Sequence, residues 1–494
     1  MLYLKHVPIQ SFSDSVVFVH KDCNVYKVDD IRALTRVEIH GGHKPLYAFL
    51  NVVEDENIVA PDEIGVNDEA FFNLGLPEGA VVTLLESETP QSLENVAKKS
   101  QGYVLNSNEY ISIINDIANG RYLNADIASF VTAFCSFATI NEIAYLAQAL
   151  SFGNRLYWDE ENIVADCHTL GFVPANNTDI IVTSIVAAYG LPILKSVELN
   201  PLAHLGEGHA MRVFANVDAD ADLLNHLIKE NKGAIFNYEN LKGSEAVIKI
   251  RNMSRYLNLK NENLEVALLM AMKHSTGVSH LVVDLPVGPQ ALVKTIKDSV
   301  AVRKTIEFVA KELGMVVEVA ITDGREPIGN GIGAVLEAKD VVKVLNGKDS
   351  ASVDLREKAI FIASKIIEFD PKVKGGDGEI IAKKMLDSME AIETFDKIVN
   401  LQGKLQSADL GILTRDILAP NSGKVKSLSN RILTHIAITA GAASNSGSGI
   451  LLLKKASDRV AKGDVLYRIY SNNSSDFALA SSIAENSNGF EIGR

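Results

Sequence analysis

A chain of 494 residues is too long for one hydrophobic core, and a net charge of −14 argues against binding the phosphate backbone of a nucleic acid. Hydrophobic residues make up 47 % and charged residues 22 %, the balance of a folded chain, and the Lys and Arg residues are interspersed with acids, so no basic patch is predicted. Cys23, Cys135 and Cys167 form no CxxC pattern, MLYLKHVPIQ lacks a signal layout, and no apolar run reaches membrane-spanning length, which together predict a reducing, cytoplasmic setting away from membranes.

In chain order, residues 1–95 read as a β-rich domain. VVFVH, VEIHG, LYAFLNVV and AVVTLLES are short strands between polar turns, and Ile64-Gly65-Val66 followed by Leu74-Gly75-Leu76-Pro77-Glu78-Gly79 has the cadence of a small barrel. SETPQSLENVAKKSQ reads as a polar linker. A helical domain is predicted over 105–160. Asn108 precedes a stripe of Tyr110, Ile111, Ile113, Ile114 and Ile117; a second helix carries Ile127, Phe130, Val131, Phe134 and Cys135, the cysteine as core; a third opens on the capping box Thr139-Ile140-Asn141-Glu142.

From 163 to 400 apolar strands (NIVADCH, LVVDLPVG, VVEVAIT) alternate with amphipathic helices (SVAVRKTIEFVAKELG, GAVLEAKDVVKVLNG), the pattern of a large α/β domain with a parallel or mixed sheet covered on both faces. Within it, the glycine-rich run 324–333 lies between a strand and a helix, where a structural turn and a ligand loop fit the spacing equally well. Residues 408–494 form a C-terminal α+β domain. GILLLKKASDRVAKGDVLYRIYS reads as three strands and two turns, hammerhead-like, with no lysine alone at a hairpin tip to carry a prosthetic group. The fold class is multidomain α/β.

Three stretches together resemble the pyrimidine-nucleoside (thymidine) phosphorylase family, above all its archaeal-type AMP phosphorylase branch with an extra N-terminal barrel: Ile321-Thr322-Asp323-Gly324-Arg325-Glu326-Pro327-Ile328-Gly329-Asn330-Gly331-Ile332-Gly333; His280-Leu281-Val282-Val283-Asp284-Leu285-Pro286-Val287-Gly288; and the tail with Ala440-Gly441-Ala442 and Gly449-Ile450. The resemblance implies phosphorolysis of the N-glycosidic bond of a nucleoside or nucleoside monophosphate. It further implies inorganic phosphate as co-substrate, no other cofactor, no metal, and a homodimer through the helical domain, which the 245–275 segment would join.

Carried over residue by residue, the resemblance makes Asp166, Cys167, Thr169 and Gly171 the phosphate-loop equivalents, with Cys167 where a lysine is usual and Phe172 where a second glycine is usual. Asn177 stands where an arginine is usual. In the second anion loop Val197 and Glu198 fall on a serine pair and Glu207 on a threonine. A carboxylate about 4 Å from a phosphate repels it by roughly 4 kcal/mol at an effective dielectric near 20. Arg255, or Arg251, would steady the base; Leu268 and Met272 fall on the family's serine and lysine, and Lys273, one residue on, is rotated about 100° around the helix. His168, Arg255 and Glu207 are the catalytic candidates. His168, His204, His209, Glu198 and Glu207 also admit a metal site or a His–Glu acid–base pair, although their spacing matches no compact metal motif. Three readings stand open: a phosphorolytic enzyme with a weakened or altered site, an inactive homologue acting as a ligand-binding or regulatory dimer, and a nucleoside hydrolase using the acquired Glu and His residues.

Overall fold

The computed structural model of the protein describes residues 2–11, 14–26, 36–42, 44–153, 155–158, 162–199, 205–406 and 408–493. The chain divides into two compact units, Met1–Tyr145 with Glu245–Leu259, and Leu146–Ser244 with Lys260–Arg494. In the first unit β1 (Leu2–His6), β2 (Val16–His20), β3 (Arg36–His40), β4 (Leu46–Val53), β5 (Glu63–Val66) and β6 (Val81–Glu86) close into a barrel in the order β1-β5-β2-β4-β3-β6. Period-two patterning explains the closure. Leu2 and Leu4, Val17 and Val19, Val37 and Ile39, Ala48 and Leu50, Ile64 and Val66, and Val82 and Leu84 all point inward, and a closed barrel leaves no strand edge exposed. β1 and β5 add to the four strands expected from sequence, and β5 holds the Ile64-Gly65-Val66 of the barrel cadence.

The same unit carries the helices Leu93–Ser100, Ser107–Ala118, Asn124–Phe137 and Glu245–Tyr256, with the start of Ile140–Ser151. The stretch 87–101 is not the linker expected. It contains the helix Leu93–Ser100, whose fully buried Lys99 donates to Glu142 Oε1 at 2.6 Å and to the carbonyls of Tyr103 and Phe137 at 3.2 and 2.8 Å. The next helix is capped by Asn106, two residues before the Asn108 expected, through a reciprocal box with Glu109. The Thr139–Glu142 box is present as expected. Cys135 is half-buried rather than core.

The second unit holds β7 (Ala165–Thr169), β8 (Ile193–Val197), β9 (Gly233–Asn237), β10 (His280–Val287) and β11 (Val316–Asp323) in one sheet of order β11-β10-β7-β8-β9. Every pairing is parallel, which decides between the parallel and mixed sheets expected and rules out the mixed one. The cause is the connections: each strand leads to the next through at least one helix, and no hairpin turns the chain back. The buried helices Thr178–Tyr189 and Val353–Ile367 share one core with β7 and β8, while Ile296–Glu312 packs on β10, β11 and the helix Glu262–Ser275. The chain goes from β7 outward to β8 and β9, then returns to lay β10 on the other side of β7. The topological switch point therefore lies between β7 and β10.

Beyond residue 330, β12 (Gly331–Ile332), β13 (Leu413–Leu418), β15 (Gly449–Leu452) and β17 (Val465–Ser471) form a sheet of order β12-β15-β17-β13, and β14 (Gly423–Leu428), β16 (Arg459–Val460) and β18 (Phe490–Gly493) one of order β16-β14-β18. β15, β16 and β17 are the three strands expected from GILLLKKASDRVAKGDVLYRIYS.

Candidate functional site

In an open parallel sheet, ligands bind outside the carboxyl ends of the strands at the switch point. Thr169, the last residue of β7, is in register with Asp284 of β10. The buried Asp284 carboxylate accepts from Thr169 Oγ1 at 2.9 Å and from Thr322 Oγ1 of β11, and pairs with Lys358 at 2.7 Å. Asn176 donates to Thr169 Oγ1 at 3.0 Å and accepts from Thr178 at 2.6 Å, tying the loop after β7 to the helix that follows. Gly171 in that loop has φ +90, and a Cβ there would lie 2.8 Å from Leu292 Cβ. Only glycine suits both demands. Phe172 beside it is 47 % exposed, so its ring faces outward.

A second group of charges lies beneath the same loops. Lys195 of β8 is fully buried and donates to the Cys167 carbonyl at 3.1 Å and to Asp179, and it pairs with Glu207 at 3.1 Å. Although burial pulls an amine down, Asp179 and Glu207 hold the Lys195 ammonium well above its ordinary value. Lys273 is buried as well, donating to Asp166 Oδ2 at 2.6 Å and to the Ser196 hydroxyl and carbonyl at 2.8 and 3.3 Å. Burial raises the Asp166 carboxyl and lowers the Lys273 amine, each opposed by the partner's charge.

Glu207 and Asp179 face one another across Lys195. Burial and the Asp179 charge push the Glu207 carboxyl up to about 8 against the pull of Lys195; Asp179, though burial works against it, is held down by Lys195. One proton is thus shared between the two carboxyls near neutral pH. The Cys167 thiol, raised well above its usual range by burial, is an inert core group whose backbone carbonyl makes the useful contact.

The helix Glu262–Ser275 is buried from Val266 through Lys273, so Leu268 and Met272 are core and Lys273 is interior too, on its own side of the helix. Arg251 and Arg255 lie on Glu245–Tyr256, in the first unit. His168 is the penultimate residue of β7 and half-buried, Glu198 follows β8, and His209 lies on the short helix Glu207–Met211 with Glu207. His204 lies outside the described residues. Among the described residues, no group of three or more His, Cys, Asp or Glu is placed to hold a metal ion.

The glycine-rich run is a structural turn. Asn330 and Gly331 donate their N–H groups to Asp340 at 2.7 Å each and Gly333 to Glu337 at 3.1 Å, while Gly331 and Ile332 pair with β15. Asn177 donates its amide to the other Glu337 oxygen at 3.0 Å. Those backbone donors are taken by the chain's own carboxylates, leaving none for a ligand. Sequence reasoning passed over Lys195, Asp179, Asp284 and Lys358. The signal was there: a Lys within LPILKSV, an Asp opening TDIIVTSIV and an Asp inside HLVVDLPV are charges in apolar runs, which buried segments tolerate only in pairs.

A family model described as the pyrimidine nucleoside phosphorylase C-terminal domain matches residues 424–490. Over its whole length the chain is 35 % identical to a "Putative thymidine phosphorylase" of Methylococcus capsulatus, an alignment spanning 100 % of this chain and 96 % of the relative. It is 36 % identical to a protein of the same name from Rhodopseudomonas palustris strain BisA53, over 99 % of this chain and 96 % of the relative. Among solved structures, anthranilate phosphoribosyltransferase from Thermus thermophilus matches with a TM-score of 0.52 at 15 % identity, covering 62 % of this chain and 98 % of that one, a likeness of fold alone.

Proposed function

The chain belongs to the pyrimidine nucleoside phosphorylase family, and on that premise we propose that it is a pentosyltransferase that cleaves the N-glycosidic bond of a nucleoside or nucleoside monophosphate with inorganic phosphate as acceptor. The observation that carries this reading is the full-length identity to relatives named for thymidine phosphorolysis. The polar groups at the switch point support it. Thr169, Asn176 and the loop at Gly171 supply hydroxyl, amide and close-approaching backbone beside the Asp284–Lys358 pair, the kinds of group that hold an oxyanion and a sugar. In this reading the protein works in the cytoplasm as a homodimer, needs no cofactor besides phosphate, and its hammerhead-like C-terminal segment has a structural role. No helix of the described residues is long and apolar enough to cross a membrane.

One observation favours a second reading, a homologue that binds a nucleoside or nucleotide without cleaving it efficiently: the donors of Lys195 and Lys273 all go to the protein itself. The hydrolytic alternative needs a carboxylate free to activate water, and Glu207 is engaged with Lys195 and Asp179. The deciding experiment incubates the full chain with thymidine, uridine, AMP or CMP, with and without phosphate, and follows free base. Base released only with phosphate establishes phosphorolysis. Ligand-dependent stabilisation without base selects the binding homologue, and release that ignores phosphate selects hydrolysis.

A further inference from the structure

On the reading just proposed, the second group of charges, around Lys195 and Lys273, is the part of the molecule with cations to offer an anion. An ammonium has three N–H donors. Those of Lys195 meet the Cys167 carbonyl, the Asp179 carboxylate and Glu207 Oε2. Those of Lys273 meet Asp166, the Ser196 hydroxyl and the Ser196 carbonyl. Neither lysine has a donor to offer an incoming phosphate unless a present partner leaves.

The six partners differ in how they are held. Asp166 and Cys167 belong to β7, Ser196 to β8 and Asp179 to the first turn of a helix buried from Thr178 through Ala187; none of the four is exposed. Glu207 alone arrives from the connection after β8 and retains 16 % side-chain exposure. Immediately before it, Gly206 has φ 142 and ψ −178, a conformation open essentially to glycine alone, and among the described residues no atom lies within 4 Å of where its Cβ would stand. The one partner with solvent exposure is therefore attached at a glycine joint.

We propose that Glu207 is a specificity-determining residue that closes the anion position from within: its carboxyl sits on Lys195 where an oxyanion would bind, and phosphate enters only by displacing it. The joint at Gly206 swings the carboxyl aside, leaving Lys195 with one donor for a phosphate oxygen. Asp179 stays in place to hold the ammonium.

The test titrates the full-length parent, Glu207→Gln and Glu207→Asp with orthophosphate at constant ionic strength, reading affinity by calorimetry and folding by cooperative thermal melting. Gln removes the ionisable carboxyl at unchanged size, and Asp draws the carboxyl back by one methylene. The proposal expects Glu207→Gln to bind phosphate at least about ten-fold more tightly than the parent, the worth of one charge-assisted hydrogen bond, with Glu207→Asp between the two. Should the Gln variant fail to melt cooperatively, the comparison of Asp with parent decides alone. A folded variant with the parent's phosphate affinity overturns the proposal. Thymidine and AMP titrated in parallel separate the two readings. If neither binds any of the three proteins, the nucleoside function fails, while a gain in phosphate affinity would still leave Glu207 as the closing group.

Discussion

Lys273 and Asp166 show how much depends on one residue's partner. A buried ion pair gains little over an apolar pair of the same shape, but removing one member strands a charge in the interior at a cost of roughly 3–5 kcal/mol. Lys273→Met is therefore expected to lower the stability of the chain by that order in urea melts. Adding Asp166→Asn should recover more than half, because the stranded carboxylate is then gone; if the double variant is no better than the single one, the pair is not what holds these strands together. This pairing was not legible in the sequence. Position on a helix says which way Lys273 points relative to Met272, but the helix is buried on both sides, so both directions lead inward. Cys167 misled in another way. Its side chain, read as a lost lysine, is inert core, and the functional atom at that position is a backbone oxygen common to every residue type.

At the scale of elements, the glycine-rich turn and the loop carrying Glu207 behave differently. Gly449 of β15 has φ +147, and a Cβ there would lie 2.1 Å from the Ile332 carbonyl oxygen. Gly449→Ala is expected to cost roughly 1–3 kcal/mol from backbone strain and forced separation of β12 from β15, read as a lowered melting temperature. The Glu207 loop should instead report pH. Facing its carboxyl are Asp179 from the helix and Lys195 from β8, with Asp166, Cys167 and Lys273 behind them.

Because folding raises Glu207 from 4.5 to about 8, the folded state holds a proton that the unfolded chain releases, and stability falls as pH rises across that window. Asp179, held below its ordinary 3.8, acts in the opposite sense only as pH falls toward that value and below. Glu337, pushed up to about 7 by burial, adds to the downward slope. His274, held down to about 4 by burial, acts in the opposite sense below about pH 7, so the parent's melting temperature is expected to decline between about pH 7 and 8.5, and Glu207→Gln to decline less. Equal slopes would show that Glu207 does not hold the shared proton. The Thr139–Glu142 box was legible because capping is local, whereas the helix hidden in SLENVAKKS was not, since its buried Lys99 finds Glu142 more than forty residues away.

For the whole molecule, a ligand that binds only the folded chain stabilises it by about 2.7 kcal/mol at one hundred times its dissociation constant. Nucleosides and nucleoside monophosphates are therefore expected to raise the melting temperature by a few degrees in a thermal-shift panel, and a flat response to all of them would remove the nucleoside reading. The order of barrel, helices, parallel sheet and C-terminal strands was written in the sequence, because hydrophobic period and turn residues act over a few positions and the family's three stretches fall in register along the chain. Strand pairing was not, nor the uniformly parallel sheet that puts Thr169 beside Asp284. Those depend on where the chain returns after β9. The sequence by itself determined the family and most of the barrel's strands, and the resemblance implied acids where the family's loops carry hydroxyls. Only the tertiary structure decided what those acids do. The effect of Glu207 on an anion depends on the charges within a few ångströms, and Lys195 and Asp179, which share its charge and its proton, are neighbours in space but 12 and 28 residues away along the chain.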